Sequence, residues 1–239
     1  MMTIEARALR KAFGGNVAVD SVDFGLTEGE LVALIGPNGS GKTTVLNLLS
    51  GHYEPDSGQI LLDGKSTKGF KPEKIARHGI VRMFQLTRLF AQLTAYDNLL
   101  VSGQALGLSA VMADERAMHL LAELGLVKLG GHPARSLSGG QQKLLEFGMC
   151  FMTRTRVVLL DEPFAAIHPT MKEVMATFIT RRKADGQAIL LVSHDMPVVA
   201  ELCSRTICMN AGTVLVDGPT AEVLSHPKVI EAYLGGARS

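Results

Sequence analysis

Residues 36–44, with the sequence Gly-Pro-Asn-Gly-Ser-Gly-Lys-Thr-Thr, constrain the fold of this chain more than any other stretch. They fit the pattern G-x-x-x-x-G-K-[ST], and they lie between an apolar run at 31–35 and leucines at helical spacing. Strand, glycine-rich turn and helix therefore follow in the order that a phosphate-binding loop requires. The alternative is a glycine-rich turn that matches by chance, and the flanking strand and helix argue against it.

Each residue type in this loop has a physical role in holding phosphate. Gly39 and Gly41 permit backbone conformations that side chains disfavour, so successive N–H groups can turn inward. The following helix adds free N–H groups and the positive end of its dipole. Lys42 supplies a mobile positive charge for the β- and γ-phosphates, and the hydroxyl of Thr43 is placed to hold Mg²⁺. The predicted ATP-binding residues of the loop are Gly36, Pro37, Asn38, Gly39, Ser40, Gly41, Lys42, Thr43 and Thr44.

Composition argues against several other classes of protein. The 239 residues suffice for one large domain or for a core with an added lobe. The net charge of +1 gives no basic field, so no nucleic-acid partner is expected. No apolar run approaches the roughly 18 residues of a membrane span, and the N-terminus lacks the apolar core of a signal peptide, so a cytoplasmic protein is expected. The spacing of Cys150, Cys203 and Cys208 predicts buried, reduced thiols rather than a disulfide or a metal site.

Strands and helices are predicted to alternate along the chain. The strands are predicted at 4–9, 17–24, 31–35, 59–64 (entering a turn), 80–85, 157–160, 188–193, 206–210 and 213–217. The helices are predicted at 71–79, 93–100, 112–124, 141–152, 170–183 and 197–203, with a helical tail at 220–234 that breaks at Pro227. This order indicates an α/β core whose parallel strands are covered on both faces, with the ligand at their carboxyl ends.

An acidic pair follows the apolar run at 157–160. Asp161 can hold Mg²⁺ through its water shell, and Glu162 can orient or deprotonate an attacking water molecule. The alternative is a pair of acids on a solvated turn. The phosphate loop in the same chain favours the catalytic interpretation.

Residues 137–141, Leu-Ser-Gly-Gly-Gln, open a predicted helix. The two glycines leave backbone N–H groups accessible at the positive end of the helix dipole, which makes a second phosphate-binding surface. A linker that enters the helix with Ser138 as its N-cap explains the run equally well when the run is taken alone.

With these motifs in this order, the chain resembles the ATP-binding subunits of ATP-binding cassette (ABC) transporters from about residue 4 to residue 234. The resemblance implies an α/β fold: a RecA-like P-loop NTPase core with an antiparallel β subdomain and an inserted helical lobe. Residues 1–85 and 157–239 would form the core with its N-terminal β subdomain, and 86–156 the helical subdomain, within a single domain 1–239. ATP hydrolysis would power transport.

The resemblance also implies partners. ATP would lie in a head-to-tail dimer, between the phosphate loop of one subunit and the signature of the other. The signature residues are Ser138, Gly139, Gly140 and Gln141. The second subunit would be another copy or a paralogous ATPase, and ATP or ADP would be the ligand. Transmembrane permease subunits would hold the protein on the inner face of the cell membrane, docked on exposed apolar surface near 86–100.

Single residues receive roles from the same resemblance. Glu162 corresponds to the catalytic base, Gln85 to the glutamine that senses Mg²⁺ and the γ-phosphate, and His194 to the switch histidine. The implied catalytic set is Lys42, Gln85, Glu162 and His194, and the implied Mg²⁺ set is Thr43, Gln85 and Asp161. Taken alone, Gln85 fits a solvated strand end and His194 fits a helix cap. Adjacent residues cannot form a relay, so the run at 193–195 is no hydrolase triad.

Two further positions depend on the resemblance. Phe13 corresponds to the aromatic residue that stacks on adenine, and packing within the N-terminal sheet is the alternative. His168 lies where the family usually carries Asp or Asn, in the loop that touches the opposite subunit. We therefore expect altered interface geometry or altered coupling between the two sites.

Within the family, residues 81–85, 88–90, 193–196 and 229–235 resemble the ATPases of branched-chain amino-acid importers. Related ATPases for urea import or lipopolysaccharide export share parts of the pattern. A soluble cassette ATPase of the iron–sulfur assembly type is a second class, and a nucleotide-binding regulator without hydrolysis is a third. The presence of Glu162 and His194 argues against the regulator.

Overall fold

The computed structural model describes residues 2–235, which form two packed sheets with helices around them. Residue 1 and residues 236–239, the ends of the predicted domain, lie outside the described residues. The boundaries predicted between core and helical subdomain, at 85/86 and 156/157, stay predictions.

A four-stranded antiparallel sheet contains the N-terminal strands, in the order β2-β1-β4-β5. Its strands are β1 (Met2–Phe13), β2 (Asn16–Thr27), β4 (Ser57–Leu62) and β5 (Lys65–Ser66). β1 and β2 are longer than the predicted 4–9 and 17–24, because their ladder continues to the pair Phe13↔Asn16 beside the turn. Register shifts in β1 interrupt the alternation of apolar residues on which the shorter prediction was based.

The second sheet has six strands in the order β10-β9-β3-β8-β7-β6. Its strands are β3 (Leu31–Ile35), β6 (Ile80–Met83), β7 (Val157–Asp161), β8 (Ala188–Val192), β9 (Arg205–Asn210) and β10 (Thr213–Pro219). All neighbours are parallel except β10, which pairs with β9 as an antiparallel edge. β3, β7 and β8 are buried along their whole length, as expected for apolar runs in a parallel sheet.

β6 is shorter than the strand that was predicted at 80–85. The ladder between β6 and β7 ends at the pair Met83↔Leu160, and the next residue of β7, Asp161, pairs with Val192 of β8. Gln85 therefore lies in the loop beyond β6, where the chain has left the sheet.

Helices lie between and after these strands. They are α1 (Lys42–Leu49), α2 (Pro72–Arg77), α3 (Ala95–Ala105), α4 (Ala110–Glu123), α5 (Gly139–Met149), α6 (Pro169–Ala184), α7 (Met196–Leu202), α8 (Thr220–Ser225) and α9 (Pro227–Gly235). α3 begins later than predicted because Thr94 forms a capping box with Asp97. Ser138 caps α5 in the same way with Gln141, as the alternative for residues 138–141 proposed, and a phosphate-binding role for this helix start stays a prediction. The predicted break at Pro227 is also confirmed.

Alternate residues of the central strands point to opposite faces of the six-stranded sheet. Leu31, Ala33 and Ile35 pack with the helical residues on one face, whereas Val32 and Leu34 pack with α1 and the four-stranded sheet on the other. Both faces are therefore covered, as predicted. The three cysteines are buried and free, which confirms the prediction for them. No helix within residues 2–235 combines the length and apolar character of a membrane span.

Three phenylalanines join the helices that follow β6 to the core. Phe147 of α5, Phe151 just after it and Phe178 of α6 form a triangle with ring centroids 4.9 to 5.3 Å apart. The rings of Phe147 and Phe151 are inaccessible to solvent. Since α5 carries the residues 138–141 at its start, this packing fixes where they lie relative to the sheet.

We expect Phe147→Ala to lower the free energy of unfolding by about 3–5 kcal/mol, because it opens a cavity in the core. Urea denaturation measures this loss. Val111→Ala on α4 is the control, since that side chain is 68% exposed, and it should change the value by less than about 0.5 kcal/mol. A loss below about 1 kcal/mol for Phe147→Ala would show that the triangle does not anchor α5.

Candidate active site

A cavity of about 430 Å³ lies at the carboxyl ends of β3, β7 and β8. This is the edge of the sheet at which the ligand was predicted. The lining residues are Asn16, Ala18, Asn38, Gly39, Ser40, Gly41, Lys42, Thr43, Thr44, Gln85, Asp161, Glu162, Val192 and His194. The structure thus brings together most of the predicted loop, catalytic and Mg²⁺ residues. Gly36, Pro37, Phe13 and residues 138–141 do not line this cavity.

At two positions the phosphate loop lies so close to the neighbouring backbone that only glycine fits. A Cβ atom on Gly36 would lie 2.2 Å from the carbonyl oxygen of Met209, and one on Gly41 would lie 2.5 Å from that of Ala18. Gly39 and Gly41 have φ of 79° and 104°, conformations that residues with a side chain rarely adopt, as predicted for them. The loop is therefore held against β9 and β2, and α1 begins directly at Lys42.

The side chain of Lys42 folds back into the loop. Its ammonium donates to the carbonyl oxygens of Gly36 at 2.7 Å and Pro37 at 3.0 Å, and it lies 3.4 Å from the hydroxyl of Ser40. Burial lowers the pKa of Lys42, while the charges of Glu162 and Asp161 oppose that shift. The charge is thus placed inside the loop before any anion binds, with partners that are neutral.

Asp161 ends β7 in a buried ion pair that the sequence analysis missed. Its Oδ2 accepts a hydrogen bond from Nη2 of Arg82 at 2.8 Å, and both side chains are only 4% exposed. Nη1 of Arg82 donates to Oδ1 of Asn47 on α1 at 2.6 Å. A signal was present, because an arginine within the apolar strand 80–83 of a parallel sheet needs a buried partner. Asn47 gave no such signal.

The backbone of Glu162 is in an unusual conformation. Its φ of 50° lies in the left-handed region, which costs a residue with a side chain about 1–3 kcal/mol and is typical of functional sites. Its N–H donates to the carbonyl oxygen of Val192 at 2.9 Å, which ties the turn to β8. In this conformation the side chain lines the cavity beside His194.

The carboxylate of Glu162 faces His194. Oε2 accepts the backbone N–H of His194 at 3.4 Å, and Oε1 lies 3.5 Å from Nε2 of the ring. Burial raises the pKa of Glu162, and the charge and backbone N–H of His194 counteract that rise. A carboxylate with a raised pKa is a better proton acceptor than a fully solvated one, which suits general-base chemistry.

Lys143 supports the turn that carries Glu162, and sequence analysis missed this residue as well. Its ammonium, projecting from α5, donates to the carbonyl oxygens of Glu162 at 2.7 Å and Ala165 at 2.9 Å. Burial lowers the pKa of Lys143, and the charge of Glu162 opposes this shift. One side chain therefore connects α5, which begins at residues 138–141, with the Glu162 turn of the same subunit.

Phe13 ends β1 with its ring 43% exposed. It meets the ring of Tyr53 edge-on, with centroids 5.1 Å apart. The ring is therefore only partly covered by its neighbours in the N-terminal sheet. The role of Phe13 in stacking on adenine stays a prediction.

His168 is the N-cap of α6. Its Nδ1 accepts the backbone N–H of Thr170 at 3.4 Å and lies 2.8 Å from the hydroxyl of the same residue. Asp and Asn are the usual residues at such a position because their oxygens accept from the first turn of the helix. The histidine performs this local capping with a ring nitrogen, and its effect at a subunit interface stays a prediction.

The predicted Mg²⁺ residues have suitable chemistry. Among the described residues there is no group of three or more His, Cys, Asp or Glu side chains that could hold a metal ion. A nucleotide-bound Mg²⁺ needs fewer, since it keeps waters and takes phosphate oxygens. The hydroxyl of Thr43, the carboxylate of Asp161 and the amide of Gln85 offer oxygen donors around one cavity. The donor set therefore fits Mg²⁺.

Comparisons with known proteins agree with this architecture. A family model described as "ABC transporter" matches residues 19–165, and one described as "Branched-chain amino acid ATP-binding cassette transporter" matches residues 213–239. The crystal structure of the ADP conformation of MJ1267, an ATP-binding cassette of an ABC transporter, superimposes with a TM-score of 0.88 at 30% identity, covering 98% of this chain and 99% of that one. The predicted fold class is confirmed.

Two curated relatives extend over nearly the whole chain. The high-affinity branched-chain amino acid transport ATP-binding protein BraF of Pseudomonas aeruginosa is 38% identical, with 98% of each chain covered. The lipopolysaccharide export system ATP-binding protein LptB of Acidithiobacillus ferridurans is 34% identical, covering 97% of this chain and 96% of the relative. With the phosphate loop, the acidic pair and the Leu-Ser-Gly-Gly-Gln run in one fold, the chain belongs to the ABC transporter family and is an ATP-hydrolysing, ATP-binding cassette subunit.

Proposed function

We propose that this ATPase powers the import of branched-chain amino acids through transmembrane permease subunits, from the cytoplasmic face of the membrane. The observation that carries the proposal is the similarity to BraF over almost the full length of both chains. The match of residues 213–239 to the branched-chain amino acid family supports it from a part of the chain outside the general cassette motifs.

The phosphates of ATP bind at the loop 36–44 in this proposal. The backbone N–H groups after Gly39 and the start of α1 provide donors, and the ammonium of Lys42 exchanges its carbonyl partners for phosphate oxygens. Thr43, Asp161 and Gln85 would hold Mg²⁺, which when bound would neutralise charge on the β- and γ-phosphates. Adenine would stack on the exposed ring of Phe13.

Glu162 accepts the proton of the attacking water. Its partly buried carboxylate lies beside His194, so the histidine orients the base and stabilises its charged form. The Lys143 contacts and the hydrogen bond to Val192 support the turn while the carboxylate acts. Gln85 lies on the same cavity wall, where it can contact the γ-phosphate side of the nucleotide.

A second subunit completes the site. The signature residues 138–141 do not line the cavity that contains the phosphate loop and Glu162. The start of α5, with its accessible glycines, can contact the phosphates of ATP only if that ATP lies on the phosphate loop of another chain. We therefore infer a head-to-tail dimer with another copy or with a paralogous ATPase.

The permease docks beside the Gln85 loop. Leu86, Phe90 and Leu93 in the stretch between β6 and α3 are 81%, 54% and 36% exposed, which is unusual for large apolar side chains so close together. An amphipathic helix from a permease subunit would cover them. Movement of the permease helix would reach Gln85 directly, because Gln85 lies in the same loop as the three apolar side chains.

Lipopolysaccharide export is the second candidate. It is supported by the similarity to LptB at 34% identity over 97% of this chain. The nucleotide chemistry would be the same, so only the transported compound separates the two proposals.

We expect Glu162→Gln to lower ATP turnover by about 10²–10⁴-fold while ATP binding is retained, since the amide cannot accept the proton. In cells whose only copy carries this substitution, uptake of leucine, isoleucine and valine should be lost. Glu115→Gln, at an exposed position of α4, is the control and should behave as wild type. Unchanged turnover would contradict the role of Glu162. Normal uptake together with loss of lipopolysaccharide export would replace the proposed cargo by the second candidate.

We expect Arg82→Met to lower the free energy of unfolding by about 3–5 kcal/mol without ligand, because it leaves the Asp161 carboxylate buried and unpaired. The loss should be smaller with saturating Mg²⁺·ADP, whose cation can take the place of the guanidinium. Thermal and urea unfolding with and without ligand measure both values. Arg156→Met is the control; its ion pair with Asp63 is exposed, so it should cost less than about 1 kcal/mol. An equal loss with and without ligand would contradict a Mg²⁺ site at Asp161.

A further inference from the structure

The C-terminal helix reaches the phosphate loop through one hydrogen bond. The hydroxyl oxygen of Tyr233 on α9 accepts the backbone N–H of Gly36 at 2.7 Å, across 197 residues of chain. Gly36 is the first residue of the loop and is itself buried. This contact joins the end of the described chain to the start of the nucleotide-binding motif.

The N–H of Gly36 needs a partner because it lies beyond the sheet. The ladder between β3 and β9 ends at the pair Ile35↔Cys208, so Gly36 is the first residue past the paired strand. A buried N–H without a partner loses its hydrogen bond to water and gains nothing in exchange. Tyr233 supplies the acceptor that the sheet no longer provides.

Tyr233 is well suited to this position. Its ring packs against the helical side of the core. Burial raises the pKa of the Tyr233 hydroxyl to about 12, so the group stays protonated and neutral at physiological pH. A neutral hydroxyl can hold the amide without adding a negative charge beside a site that binds phosphates.

We propose that Tyr233 is a positioning residue for the phosphate loop, and that α9 thereby sets the affinity for nucleotide. Neither Tyr233 nor Gly36 lines the cavity, so the hydroxyl acts through the loop and does not touch the nucleotide. The inference rests on the proposed binding of nucleotide at the loop. A loop that is held in place before binding loses less conformational freedom when the phosphates arrive.

The test is Tyr233→Phe in the full chain, which removes one oxygen atom and keeps the ring. Titration with a fluorescent ADP analogue should give a Kd raised about fivefold to tenfold, the effect of one lost hydrogen bond. The KM for ATP should rise in parallel, and kcat at saturating ATP should stay within about twofold of wild type. If Tyr233 served stability alone, Tyr233→Phe would lower the melting temperature without raising the Kd for ADP or the KM for ATP, and the proposal would be wrong.

Tyr96→Phe is the matched control. Its hydroxyl donates to Asp114 between α3 and α4, away from the cavity, so its removal should leave the Kd for ADP unchanged. Hydrogen exchange of the Gly36 amide is an independent measurement. It is made on the wild-type protein and so does not depend on whether a variant folds. The amide should be protected without nucleotide, and rapid exchange would overturn the proposal.

Lys42→Ala separates this inference from the proposed site. If Lys42→Ala loses ADP binding while Tyr233→Phe binds like wild type, the role of Tyr233 is wrong and the nucleotide site stands. If Lys42→Ala binds ADP like wild type, the proposed site itself is wrong. A fall in kcat of Tyr233→Phe at unchanged Kd would also overturn the proposal, since it would place the hydroxyl in the chemistry.

Discussion

The close approach of the phosphate loop to the backbones of β2 and β9 is the constraint on which the rest of this structure depends. Hypothetical Cβ atoms at Gly36 and Gly41 would lie 2.2 and 2.5 Å from carbonyl oxygens of those strands. The loop can occupy this space only because the four-stranded sheet packs on the six-stranded one and because β9 pairs with β3. A local motif is thus held in shape by contacts from distant parts of the chain.

The charges around the cavity are arranged before nucleotide binds. Lys42 is held by loop carbonyls, Asp161 by Arg82, and Glu162 by His194, while Lys143 supports the Glu162 turn. Each of these charged side chains therefore has at least one polar partner, as a low-dielectric site requires. Two buried atoms of the described residues here, Nε of Arg82 and Oε1 of Glu162, have no hydrogen-bond partner. The arrangement costs backbone strain at Glu162, which the hydrogen bond to β8 and the two carbonyl contacts of Lys143 offset. Chemistry and stability depend on the same few side chains.

The local features of this site were predictable from the sequence, whereas its long-range partners were not. The loop, the acidic pair and the buried strands each follow from neighbouring residues, so patterns in the sequence identified them. Arg82 meets Asp161 only because β6 and β7 are neighbours, and Tyr233 meets Gly36 only because α9 returns to β3. The ends of β1 and β6 also depend on pairing partners rather than on local propensity, and those boundaries were predicted less well.

Completion of each ATP site by a second subunit is the central claim, and a mixture of two inactive variants tests it most directly. Glu162→Gln removes the base and keeps the signature. Gly139→Glu blocks the signature with a negative charge and fits its own subunit, since a Cβ at Gly139 would meet nothing within 4 Å. Each variant alone should be inactive, and their equimolar mixture should recover about a quarter of wild-type turnover, through mixed dimers with one intact site. Full turnover by Gly139→Glu alone would contradict the claim. If the wild-type chain hydrolyses ATP on its own, so that two copies form the dimer, a mixture as inactive as its components would contradict it as well.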